Sequence, residues 1–193
     1  VTRVWGTTAE RTRALVAIFD EVRDLPYAID AAHDASTLER AGAGDCLSKS
    51  ALLATRLADV GVRTRLVRWR YLLPAVVPEA LALPSRLDVH RAVQVHLDGR
   101  WLLVDATLDP ALAAGGLVVS DWDGAGATRP GYPMRGPLLV EDDDRVAIEV
   151  AQADVRRWLR SCDPERLDAW RTAYISWLRA CRLASTSHPA LPE

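Results

Sequence analysis

A chain of 193 residues, 49% of them apolar, is long enough for one well-buried core and short for two. Its formal net charge of −2 gives no pull toward nucleic acid or an anionic membrane surface, and no apolar run approaches the ~18 residues of a membrane span. The first residues lack a charged-then-apolar secretion pattern, and three cysteines (Cys46, Cys162, Cys181) cannot close a disulfide set, so the expected compartment is the cytoplasm.

Residues 7–24 read as a helix: Thr7 or Thr8 can cap it, Leu15, Ile18, Phe19 and Val22 recur at helical spacing, and Pro26 ends it. A short helical piece is expected over 36–40, followed by the glycine turn Gly42-Ala43-Gly44. Asp45 then suits the N-cap of a helix from about Cys46 to Val60, with Gly61 placed as a C′ glycine. That helix is apolar on more than one side, which marks it as central to its fold. Lys49 in its first turn opposes the helix dipole, so Ser48-Lys49-Ser50 reads as a solvated or locally bonded segment.

Residues 62–72 alternate as a strand, and 89–107 read as two strands around Asp98-Gly99, a strong hairpin signal. Residues 108–137 are irregular and rich in Gly and Pro; within them Trp122 belongs to a tight turn or overhangs a cleft. The acidic run 141–144 reads as a solvated turn, since it lacks the ligand alternation and glycine of a calcium loop. Residues 145–150 read as one more strand, followed by helices near 152–160 and from Asp163-Pro164 onward. On the last helix Trp170, Tyr174 and Trp177 form a stripe suited to a core or an oligomer contact. The tail 185–193 reads as disordered. With no repeats and no linker, the expectation is one α+β domain over 1–184, with a core at about 12–110 and a C-terminal extension at about 111–184.

Cys46 opens a helix directly after a glycine turn, and a nucleophilic cysteine needs a base and a group to orient that base. The candidates are His33, His90, His96 and His188. With Asp98 and Gly99 as the loop, Leu97 pairs with Arg100, and His90, Ala92, Gln94 and His96 share a face with Trp101, Leu103, Asp105 and Thr107. His90 and Asp105 are then diagonal neighbours within side-chain reach on the more polar face, as a Cys-His-Asp arrangement requires. His96 lies toward the turn. The other face carries Val93, Val95, Leu97, Leu102 and Val104, an apolar set for the core.

The ordered set "LERAGAGDCLSKSALLATRLADVGVRTRLV" and "HRAVQVHLDGRWLLVDAT" resembles the bacterial transglutaminase-like superfamily of papain-type cysteine enzymes. The preceding "IFDEVRDLPYAID" is similar to the family's lead-in helix and tyrosine, so the likeness covers roughly residues 12–110. It implies Cys46 as nucleophile, His90 as base and later acid, and Asp105 as the orienting residue. It also implies a papain-like core, with the Cys46 helix packed on an antiparallel sheet carrying His90 and Asp105. Two positions depart from the family's habit: Ala92 stands where a Trp is common, and Gln94 where a Glu is common.

The expected chemistry is acyl transfer through a thioester, giving hydrolysis or transamidation of a peptide or amide. The alternatives are an acyltransferase or cyclase on a carrier-bound thioester and, from another class, a non-catalytic binding module that keeps the fold. No cofactor and no metal are expected, because Cys46, His90 and Asp105 contain no ligand pair at useful spacing. Expected partners are the substrate alone, with neither nucleic acid nor membrane.

Overall fold

The computed structural model describes residues 7–187. Thr7 caps α1 (Thr8–Arg23) by accepting from the Glu10 N–H, and Leu15, Phe19 and Val22 are its buried stripe. Next comes β1 (Tyr27–Ala32), a strand that the periodicity does not announce. It stays out of the main sheet and touches Gly44 through parallel bridges from Tyr27 and Ala32. Asp34 caps α2 (Ala35–Ala41), and Gly42, in the left-handed region at φ 66°, stops it.

α3 (Cys46–Asp59) follows, capped by Asp45. Gly44 holds the approach to it, donating its N–H to the Pro26 carbonyl at 3.1 Å. A Cβ at Gly44 would overlap the Ser48 hydroxyl and sit 2.9 Å from the Ala32 carbonyl oxygen. Gly44→Ala is therefore expected to lower stability by about 1–3 kcal/mol, as overpacking does. A urea midpoint equal to the unsubstituted protein's would contradict that fit.

The sheet has the order β4-β3-β2-β5 and is antiparallel throughout, built from β2 (Thr64–Leu72), β3 (Leu87–Leu97), β4 (Arg100–Val104) and the short β5 (Leu139–Val140). The hairpin register is the one expected: Leu97 pairs with Arg100 and Val93 with Val104. Both turn residues have positive φ, 49° at Asp98 and 79° at Gly99, as a two-residue loop matched to strand twist demands.

Residues 145–150 are not a strand. They open α4 (Arg145–Ser161), whose buried positions are Ile148, Ala151 and Val155, while Val146 and Val150 point outward at 75% and 53% exposure. The alternation of Val146, Ile148 and Val150 imitates a strand over six residues, but the longer period decides. α5 (Pro164–Ser187) extends into the tail expected to be disordered; the rest of that tail lies outside the described residues.

Both faces of the sheet are covered. Val93, Val95, Leu97 and Val104 pack with Phe19, Leu53 and Leu57 from α1 and α3. The opposite face, with Val67, Trp69, Tyr71 and Ala92, packs against Tyr132 of the irregular region and Tyr174 and Leu178 of α5. The face read as polar is thus a second core, in which His90, Asp105 and Thr107 are buried and bonded to one another. Arg182 of α5 ties this layer to β1, donating to the Tyr27 carbonyl and to the Asp109 carboxylate, each at 2.7 Å.

Candidate active site

Asp45 has a full set of partners. Its Oδ1 accepts from the N–H groups of Leu47 (2.9 Å) and Ser48 (3.0 Å), while Oδ2 meets His33 Nδ1 at 2.6 Å. The cap therefore bypasses the N–H of Cys46, at the first position of α3, which stays available at a helix N-terminus. Cys46 is half-buried, whereas Cys162 and Cys181 are buried. His33 is 63% exposed on its side chain and serves the cap; it does not reach the strand pair.

His90 and Asp105 are both fully buried, and His90 Nε2 lies 3.0 Å from Asp105 Oδ2. That hydrogen bond assigns the Nε2–H tautomer and leaves Nδ1 for the thiol. Burial, the largest influence on the imidazole, pulls its pKa down. The charge and hydrogen bond of Asp105, then the Cys46 thiol, overcome it and push the pKa up to about 10. Nδ1 is buried with no hydrogen-bond partner of ordinary geometry among the described residues, an arrangement that favours a proton shared with Cys46. The Asp105 carboxyl is held below its ordinary range: burial raises it, but His90, Thr107 and the Gly131 N–H outweigh that.

The irregular region, unassigned by sequence, supports this pair. The Gly131 N–H donates to Asp105 Oδ2 at 2.9 Å, and the Asp105 N–H donates to the Thr128 hydroxyl at 2.9 Å. Tyr132 stands edge-on to the His90 ring with centroids 5.1 Å apart, and Trp69 does the same at 4.6 Å. His96 is elsewhere, beside Trp101 at 5.1 Å and against Arg63 at 2.6 Å. Trp122 packs on Phe19 in the first core, so it overhangs no cleft.

Lys49 corrects another expectation. It is 1% exposed, and its side-chain nitrogen donates to the carbonyls of Arg23 (3.0 Å), the last residue of α1, and Leu25 (2.6 Å), just beyond it. Burial drives its pKa down to about 7 against the opposing pull of Asp109 and Asp105. No periodicity exposes this, because the partner carbonyls come from a distant segment, the end of α1 and the bend after it.

Cys46 opens into a cleft of about 400 Å³. Tyr27 and Tyr71 line one side, and α4 and α5 contribute Trp158, Trp170 and Tyr174 to the other. The expected C-terminal extension is thus a wall of the cleft. Trp170 and Tyr174, from the predicted stripe, stack at 5.1 Å and 10°. All four tyrosines of the chain gather here, Tyr132 beneath His90 and the other three on the cleft. Among the described residues no three His, Cys, Asp or Glu side chains are grouped to hold a metal, and no helix is long and apolar enough to cross a membrane.

No protein-family model matches the chain, and no curated protein matches it. Among solved structures it is similar to one described as a "Putative Cysteine Protease from Cytophaga hutchinsonii", at 18% identity and a TM-score of 0.39. That alignment covers 71% of this chain and 43% of the other, so the chain spans less than half of that protein's length.

Proposed function

We propose that the chain is a cysteine-dependent acyl-transfer enzyme of papain-like, transglutaminase-like type, hydrolysing or transferring amide or peptide acyl groups. The observation that carries this reading is a half-buried thiol on a helix N-terminus that lines the cleft, backed by a buried imidazole whose pKa it helps to raise and by a carboxylate bonded to that imidazole.

In this mechanism the proton of the Cys46 thiol already rests on His90 Nδ1, as its raised pKa favours, and the thiolate attacks the substrate carbonyl carbon. The oxyanion is received by the free Cys46 N–H at the positive end of α3. The carbonyl re-forms as His90 Nδ1–H protonates the departing amine, leaving a thioester on Cys46. Water or an amine then loses a proton to Nδ1 and attacks the thioester, and the Cys46 thiolate leaves. Asp105 holds the ring in the required tautomer and balances its charge throughout.

Limiting iodoacetamide near neutral pH is expected to label Cys46 before Cys162 or Cys181, read by mass spectrometry of peptides. The reason is access together with the imidazole beside Cys46. Prior labelling of either C-terminal cysteine would remove Cys46 from the nucleophile's role.

A further inference from the structure

The acidic side chains around the site each have a cationic or imidazole partner, with one exception. Asp105 has His90, Asp45 has His33, Asp109 has Arg182 and Glu141 has Arg68. Asp88 does not. It stands on β3 two positions before His90 and lines the cleft that Cys46 opens into. Its Oδ1 accepts from the Val89 N–H at 2.7 Å and its Oδ2 from the Tyr71 hydroxyl at 3.2 Å. No basic side chain among the described residues lies at ion-pair distance from it. Burial raises its pKa, the two hydrogen bonds and His90 lower it, and the charge of Asp45 adds to the rise. A part-buried carboxylate with no ion-pair partner is costly, and a bound cation lowers that cost.

Near Asp88 the lining has features that suit a cation, although Arg156 and Arg171 are exposed elsewhere on the cleft. The Tyr174 hydroxyl is buried with no hydrogen-bond partner of ordinary geometry, lines the same cleft, and feels the charges of both Asp88 and Cys46. Its oxygen, already drawn on by the Tyr132 hydroxyl, has a second lone pair for an N–H donor. Trp158 and Trp170 wall the cleft, and indole faces attract cations and cover aliphatic stems.

We propose that Asp88 is a specificity-determining residue that binds a protonated amine or guanidinium of the substrate, its apolar stem lying against Trp158 and Trp170. The inference rests on the acyl-transfer reading for what happens at Cys46, but the cation site itself is tested by binding. A basic side chain on the acyl donor and an amine acting as acceptor share this chemistry.

Calorimetric titration with N-acetyl-lysine amide and N-acetyl-norleucine amide separates the cation from its stem on the donor side. n-Butylamine against n-butanol does so for an acceptor. At least one pair is expected to favour the cationic member by roughly tenfold or more, the strength of a hydrogen bond to a charged group. Asp88→Asn should bring that ratio close to one and Asp88→Glu should restore much of it, with circular dichroism confirming the fold. Equal affinities within both pairs for the unsubstituted protein overturn the proposal, even if no variant folds. So does a preference that survives Asp88→Asn. A preference for N-acetyl-glutamate amide also overturns it, and would point to Arg156 and Arg171, exposed on the cleft, as the selecting groups. If Cys46 proves unreactive to iodoacetamide while the cationic preference holds, the acyl chemistry falls and the cation site stands; the converse removes only the site.

Discussion

His90→Ala is expected to slow Cys46 alkylation near neutral pH by on the order of tenfold or more, because the thiol loses the group that accepts its proton. Asp105→Asn should slow it by an intermediate amount: a base remains, but its tautomer is no longer enforced and its charge is no longer balanced. His96→Ala should leave the rate unchanged, since His96 bonds Arg63 and packs on Trp101. The three rates, with circular dichroism as the folding control, test the register and the roles together. Loss of reactivity in His96→Ala with retention in His90→Ala would refute the assignment of the base.

The second large effect is on stability as a function of pH. Lys49, with its pKa lowered to about 7 from 10.5, is charged in the unfolded chain and neutral in the folded one between those values. Unfolding then takes up a proton, so this residue makes stability rise with pH across that window. His90 acts in the opposite sense. Its pKa, raised to about 10 from 6.5, gives a contribution complete below 6.5 and lost as pH climbs to about 10. The windows overlap and the two effects oppose each other, so the unsubstituted protein should be nearly flat from about pH 7 to about pH 10. Lys49→Met should expose a falling curve and His90→Gln a rising one, each approaching about 1.4 kcal/mol per pH unit at its steepest. Urea midpoints across that range check both; parallel curves for the two variants would show that neither group is shifted as described.

What could be read from the sequence had local causes. The Asp98-Gly99 loop dictates the hairpin register, and the register places His90 diagonal to Asp105, so the pair was legible without coordinates. The Asp45 cap and the start of α3 at Cys46 follow from residues adjacent in the chain. The illegible parts depend on distant residues. Lys49 is buried because α1 ends over it, and Asp105 is held by Thr128 and Gly131 from a region with no periodicity. The start of α4 was masked by a six-residue alternation whose outer members face solvent. Asp88 carries no sequence signal at all; its significance is the lack of a basic partner among the described residues, which only the packed structure reveals.

Arg182 reaches back across 155 positions to the Tyr27 carbonyl, and the helix that carries it supplies Trp170 and Tyr174 to the cleft. During synthesis, Cys46, His90 and Asp105 leave the ribosome well before that helix does. A nascent chain can therefore form the thiol, base and carboxylate while one wall of the binding space is still missing. Closing so long a loop carries a late entropic cost, which puts completion of the cleft among the last steps of folding. Discrimination among substrates would then wait on α5, after the reacting groups themselves are in place.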